Sequence, residues 1–244
     1  MAKNNGYKVG IRRSILALRQ FEEALSDLRK FYPRIEAEPV RIETYGDRDR
    51  RTPISDIEGS DFFTREIEES LLKGEIDFAV HSAKDLPDRI PDGLQVAAIT
   101  GSIDPYDVLV SKGNLKIDEL ATGARIGTSS ARRKSQLKSY RPDFNVVDIR
   151  GNIDERLKLL DNNDIRHSAK QSEASPKGTK YDIRNIDAIV ISSCALVRLG
   201  LEKRITQRLP FEIVKPHPLQ GSLALEARKI NRDIINLVSV LDRK

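Results

Sequence analysis

ARIGTSSARRKSQL, Ala124 to Leu137, compresses a strand, a turn and the start of a helix into one stretch, and the rest of the chain repeats its grammar. Ala124 to Gly127 reads as a short strand, Thr128, Ser129 and Ser130 as turn and helix cap, and Ala131 to Ser139 as a helix. Downstream, Asn145 to Ile149 is a strand candidate and Arg150, Gly151 and Asn152 form a turn. Ile153 to Leu160 is a helix with Leu157 and Leu160 inward, and the strand Asp187 to Ser192 closes the set. Upstream, a strand from Tyr7 to Ile11 passes through Ser14, a plausible cap, into a helix with Leu18, Phe21, Leu25 and Leu28 on one face. Val40, Ile42 and Thr44 alternate as a strand ending at Gly46 and Asp47, and a helix follows around Phe63, Ile67 and Leu71. The apolar run Ile76 to Val80 is broken by the polar run His81 to Asp85 and by Pro87; Leu94 to Ile99 and Asp107 to Ser111 are further strands. Strands alternating with helices at this spacing predict parallel α/β layers, and the two halves predict two such domains.

Composition narrows the function. The chain has 244 residues, 42 Lys+Arg against 37 Asp+Glu, a formal charge of +5, and 39% hydrophobic residues, enough for a real core. No apolar run approaches the roughly 18–20 residues of a membrane span, and the polar start MAKNNGYKVG lacks the apolar segment of a signal peptide, so the expected location is the cytoplasm. Cys194 is the single cysteine and only His81, His167 and His217 could join it, so no structural metal site is expected. Acidic and basic residues are interleaved, Trp is absent, and a nucleic-acid surface is not expected. From Asn162 to Asn185 the chain is polar and reads as a long exposed loop.

Basic residues sit beside small hydroxyl residues or glycine at several strand ends: Arg12 with Ser14, Lys84 with Ser82, Arg132 and Arg133 after the Thr128 to Ser130 turn, Arg150 with Gly151, and Arg156 one helical turn further in. Ligands of open α/β sheets bind at the carboxyl ends of strands. Free N–H groups of helix N-termini and the forked guanidinium both suit carboxylate or phosphate, so the expected ligand is a polyanion. An isolated Arg is ordinarily a solvated charge; recurrence at successive strand ends carries the reading. Asp85, in HSAKDLP, is a carboxylate within this cationic set, suited to stabilising a developing cation or holding an N–H donor; a pair with Lys84 is its ordinary alternative. His81 reads as structural and Cys194 as packing. No Walker loop, no GxGxxG after a strand and no Ser-His-Asp order is present.

GIRRSILAL, DFAVHSAKDLP, DPYDVLVS, ARIGTSSARRKSQL, VVDIRGNIDERL and DAIVISSCALVRLGL together resemble the porphobilinogen deaminase (hydroxymethylbilane synthase) family, in the family's order, from Val9 to about Arg228. The resemblance implies two domains similar to type II periplasmic binding proteins with a ligand cleft between them: residues 1–102 plus 212–244, and residues 103–211 with the polar loop 162–185. It implies deamination of porphobilinogen and head-to-tail joining of the pyrroles into a linear tetrapyrrole. By the same resemblance Asp85 is the catalytic aspartate. Arg12, Ser14, Lys84, Thr128, Ser129, Ser130, Arg132, Arg133, Arg150, Gly151 and Arg156 hold cofactor and substrate carboxylates, and Phe63 and Gln220 belong to loops beside them.

The sequence also departs from the family. EGSDFF, Glu58 to Phe63, stands where the family has GGKGLF, placing Ser60 and Asp61 at a lysine and a glycine, and PHPLQGS, Pro216 to Ser222, stands where it has PAVGQGA, with Leu219 at a glycine. The family carries a dipyrromethane cofactor on the cysteine of a Gly-Gly-Cys motif in a third domain. That motif is absent here and Cys194 lies in a different context, so covalent attachment is not expected on this chain. Two classes of function follow: a tetrapyrrole-forming transferase acting on porphobilinogen and pyrrole oligomers, with a third domain from a separate polypeptide or a non-covalent primer, or a non-catalytic homologue that binds a pyrrole or another small polyanion.

Overall fold

In the computed structural model, residues 6–49, 52, 60–161 and 185–243 are described, so the predicted loop 162–185 lies outside them except for Asn185. The strands are β1 (Tyr7–Arg12), β2 (Ala37–Ile42), β3 (Phe78–Ser82), β4 (Leu94–Ile99), β5 (Asp107–Ser111), β6 (Arg125–Gly127), β7 (Asn145–Val147), β8 (Ala188–Ser192), β9 (Gln207–Arg208) and β10 (Leu223–Arg228). The helices are α1 (Ile15–Arg29), α2 (Tyr45–Arg48), α3 (Arg65–Lys73), α4 (Ala131–Tyr140), α5 (Ile153–Asp161), α6 (Ser193–Leu199) and α7 (Arg232–Ser239). Two compact units result, one from Met1–Asp49, Glu58–Asp104 and His217–Lys244, the other from Arg50–Ile57 and Pro105–Pro216.

The first unit holds a sheet of order β2-β1-β3-β10-β4, and the second one of order β7-β6-β8-β5-β9. Each is mixed. β1 runs parallel to β2 and β3, but β10 is antiparallel to β3 and β4; β6 runs parallel to β7 and β8, but β5 is antiparallel to β8. The expectation of parallel layers is corrected on this point. The antiparallel strand of each sheet, β10 or β5, is the first strand after the chain passes from one unit to the other.

Ser14 caps α1 as expected, its Oγ accepting from the N–H of Ala17 at 3.1 Å. Phe21, Leu25 and Leu28 are buried against Val9, Ile11, Phe78, Val80, Leu223 and Leu225, with Ile234 and Val238 of α7 on the same face. Full burial of such side chains contributes roughly 1.5–3 kcal/mol each. The opposite face is covered by α3, where Ile67 and Leu71 meet Ile76, Ala79 and Leu94. In the second unit Leu137 of α4 and Phe144 pack on Ile126 and Val190, while Leu157 and Leu160 of α5 pack on Val108, Ile189 and Ile191. Phe63 precedes α3 instead of belonging to it, and Ile76 lies just ahead of β3. No helix among the described residues is long and apolar enough to cross a membrane.

Candidate active site

The first unit gathers its candidates at the carboxyl ends of β1 and β3. A pocket there is lined by Arg12, Ser14, Gln20, Phe63, His81, Ser82 and Asp85, among others. Arg12 is fixed twice: it pairs with Asp47, and its guanidinium carbon lies 4.4 Å from the centre of the Phe63 ring. Burial by itself would raise the Asp47 carboxyl, but the Arg12 charge and hydrogen bond, together with the N–H and hydroxyl of Thr44 at 3.1 and 2.9 Å, hold it below the ordinary carboxylate value.

Asp85 lies in the 3-10 turn Ala83–Asp85 that continues β3 and is half-buried. Among the described residues nothing hydrogen-bonds or pairs with its carboxylate, so the alternative pair with Lys84 does not form. Lys84 Nζ instead donates to Oε1 of the buried Gln220 at 3.1 Å. Gln220 is anchored in turn, its carbonyl accepting from Ser102 Oγ at 2.7 Å. Gly221 follows at φ +90°, where an added Cβ would lie 2.2 Å from Ser102 Oγ and 2.8 Å from the Asp104 carbonyl.

Asp61 is not the bare negative charge its sequence position suggests. Arg65 donates to both of its carboxylate oxygens, from Nε at 2.7 Å and Nη2 at 2.8 Å, and that bidentate contact lowers the Asp61 carboxyl below its ordinary value. Leu219 sits in a tight turn in which its N–H donates to His217 Nδ1 at 3.1 Å.

In the second unit the strand-end candidates divide into exposed and buried members. Arg133 is buried at 6% exposure, with its Nη2 2.6 Å from the carboxylate of Asp107, itself at 0%. Arg132 binds the other oxygen of Asp107 at 2.9 Å and also donates to the Lys215 carbonyl. Ser129 is buried and its hydroxyl donates to the Ile149 carbonyl; Thr128 is buried with its hydroxyl unpartnered. Arg133 and Ser129 are therefore turned inward, because Asp107 and the end of the next strand take up their hydrogen-bonding groups. Ser130, Arg132, Arg150, Gly151 and Arg156 keep partial exposure. Arg156 Nε donates to the Gly151 carbonyl at 2.9 Å, and Gly151 at φ +101° needs its missing side chain because a Cβ would meet Glu155. Cys194 is buried in α6.

Sequence reading missed three members. Asp47 stood in it only as a turn residue, Gln20 as an unremarked helix position, and Asp107 as the first residue of a strand. Gln20 donates to Ser82 Oγ at 2.7 Å within the pocket wall. The available signal was an acid or amide at an element end facing a candidate arginine or hydroxyl. Among the described residues no cluster of three His, Cys, Asp or Glu side chains is arranged to hold a metal ion.

The profile of the family described as "Porphobilinogen deaminase, dipyromethane cofactor binding domain" matches residues 7–236. The chain belongs to the porphobilinogen deaminase family. Porphobilinogen deaminases of Natranaerobius thermophilus and Brevibacillus brevis are 40% and 41% identical over 96% and 97% of this chain, which spans 69% and 70% of their lengths. Membership in the porphobilinogen deaminase family makes the chain an enzyme of the transferase class, and the matched stretch is that family's cofactor-binding domain. Solved structures show the same fold at low identity. A periplasmic substrate-binding protein of an ABC transporter from Coxiella burnetii is 14% identical with a TM-score of 0.53, covering 96% of this chain and 91% of its own. A methionine binding protein is 16% identical with a TM-score of 0.51, covering 98% and 90%. The fold is that of type II periplasmic binding proteins.

Proposed function

We propose that this protein deaminates porphobilinogen and condenses the units head to tail into a linear tetrapyrrole, with Asp85 as the catalytic residue. The observation that carries this reading is the Asp85 carboxylate, without a partner among the described residues, in a pocket it shares with Arg12, Ser14 and Ser82. In the condensation the aminomethyl carbon–nitrogen bond breaks and its electrons leave with ammonia. The positive charge left on the methylene-pyrrole is met by a ring carbon of the acceptor, which then loses its proton. A fixed carboxylate beside that methylene stabilises the cation and accepts a hydrogen bond from the pyrrole N–H.

Acetate and propionate groups on each ring need several cationic and hydroxyl donors. Arg12, Ser14 and Lys84 supply them in the first unit, and Ser130, Arg132, Arg150 and Arg156 in the second. The second unit's donors suit the carboxylates of a dipyrromethane, and the buried, unpartnered Thr128 hydroxyl adds an unused donor to them. When bound, a dipyrromethane supplies the free ring carbon that accepts the first unit. Gly151, at its positive φ, permits the turn that follows Arg150, while Arg133 and Ser129 hold the preceding turn in shape from inside.

The test is purified protein mixed with porphobilinogen, alone and supplemented with a polypeptide carrying a Gly-Gly-Cys third domain, the proposed partner. Porphobilinogen loss and linear tetrapyrrole are followed together. Consumption in either arm, abolished by Asp85→Ala with the circular dichroism unchanged, is expected. Binding without consumption in both arms overturns the transferase reading in favour of a pyrrole-binding homologue.

A further inference from the structure

Three ionisable side chains that the reaction above does not use meet beneath the first unit's pocket. Glu68 of α3, His81 of β3 and Glu226 of β10 are 2%, 5% and 0% exposed. His81 Nε2 lies 3.2 Å from a carboxylate oxygen of Glu226, close enough to pair yet not aligned as a hydrogen bond; that nitrogen, both Glu226 oxygens and one Glu68 oxygen have no hydrogen-bond partner. The register explains the meeting. β10 is antiparallel to β3, with Ala224 opposite His81 and Glu226 opposite Ala79, so His81 and Glu226 project on the same face, the one α3 covers. Unshared, such groups would each cost a desolvation penalty in a core where buried charges are otherwise paired. His81 also lines the pocket that holds Asp85.

We propose that Glu68, His81 and Glu226 form one proton-holding unit whose charge sets the field at the floor of the pocket, making Glu68 a remote positioning residue for the chemistry at Asp85. The role in turnover rests on the function proposed above; the unit itself does not. Burial pushes the Glu68 carboxyl up to about 6, with the Glu226 charge adding to the rise and Thr64 and His81 opposing it. The other ionisable groups near Glu68 are already engaged. Asp61, ahead of α3, is clamped by Arg65, and Arg12, which ends β1, is paired with Asp47; Arg228, which ends β10 on the Glu226 face, donates to the Leu71 and Ile76 carbonyls, and β4 carries no ionisable residue. Deprotonation of Glu68 thus adds one buried negative charge behind the pocket, which favours the cation formed as ammonia leaves.

The experiment pairs two readouts on the full chain. Nuclear magnetic resonance follows the imidazole signals, with His81 assigned by loss of its signal in His81→Asn. The wild-type His81 signal is expected to show a step near pH 6 that vanishes in Glu68→Gln and returns in Glu68→Asp. Steady-state kinetics with porphobilinogen is expected to show kcat rising through the same step, and Glu68→Gln to lower kcat several-fold above it with KM little changed and no limb. An unchanged His81 step in Glu68→Gln overturns the unit, as does a retained kinetic limb in that variant for its role in turnover. Absence of turnover in the wild type and every variant, both alone and with the Gly-Gly-Cys polypeptide, refutes both the proposed function and that role, while the magnetic resonance arm still decides the unit.

Discussion

Replacing Asp107 with Asn keeps its size and removes its charge, and it isolates what holds the second unit's arginine pair. Asp107 is fully buried and receives Arg133 at 2.6 Å and Arg132 at 2.9 Å. Removing one partner of a buried ion pair costs about 3–5 kcal/mol, because the remaining charge stays buried without compensation. The Arg133 side chain, only 8% exposed, bears most of that cost. Arg132, 25% exposed and also held by the Lys215 carbonyl, adds little. Equilibrium urea unfolding read by far-ultraviolet circular dichroism measures it, the chain having no tryptophan. With a slope of roughly 2 kcal/mol per molar urea, the second unit's midpoint is expected to fall by about 1.5–2.5 M. Asp107→Leu combined with Arg133→Leu, which removes both charges, should recover most of the loss. A midpoint shift under roughly 0.5 M for Asp107→Asn, against that slope, would refute the buried-pair reasoning and return Arg133 to the set of ligand-facing cations.

Glu68 also carries a stability signature. Its folded value is raised from 4.5 to about 6, so the folded state binds the extra proton and stability falls as pH rises across that window. The penalty is absent below about 4.5, complete above about 6 and worth about 2 kcal/mol, so Glu68→Gln should raise the melting temperature at pH 8 and leave it unchanged at pH 4; equal shifts at both values contradict it. Gly221→Ala, which forces a Cβ into Ser102 and Asp104 at a positive φ, should cost roughly 1–3 kcal/mol. A thermal melt matching wild type would show that the turn relaxes freely.

Much of the architecture was legible because it rests on local pattern. The strands at Leu94–Ile99 and Asp107–Ser111 and the capped helix after Ser14 need only an apolar run, a turn and a hydroxyl. β10 was not legible. Leu223-Ala-Leu-Glu-Ala-Arg228 is composed of good helix formers, and only pairing on both edges, with β3 and β4, makes it a central strand. With it went Glu226, an acid whose complete burial makes sense only once His81 stands beside it. The strand-end cations were legible as a set but not one by one. Arg133 and Arg132 are adjacent in sequence, look alike and both reach Asp107, yet the Arg133 side chain is 8% exposed and that of Arg132 25%, a difference in burial that adjacent positions in the sequence do not show. Asp47 escaped for a similar reason, since its partner Arg12 is distant in sequence.

The place of β10 in its sheet also dictates an order of assembly on the ribosome. Among the described residues β4 pairs with no strand except β10, so after its synthesis it waits as an unpaired edge until Leu223–Arg228 emerges. The second unit's five strands all come from the uninterrupted stretch Pro105–Pro216, and that sheet can close first. The nascent chain therefore carries an unfinished first sheet across the whole synthesis of the second. That interval is when an apolar, exposed edge such as Leu94–Ile99 is most open to wrong pairing and to chaperone capture.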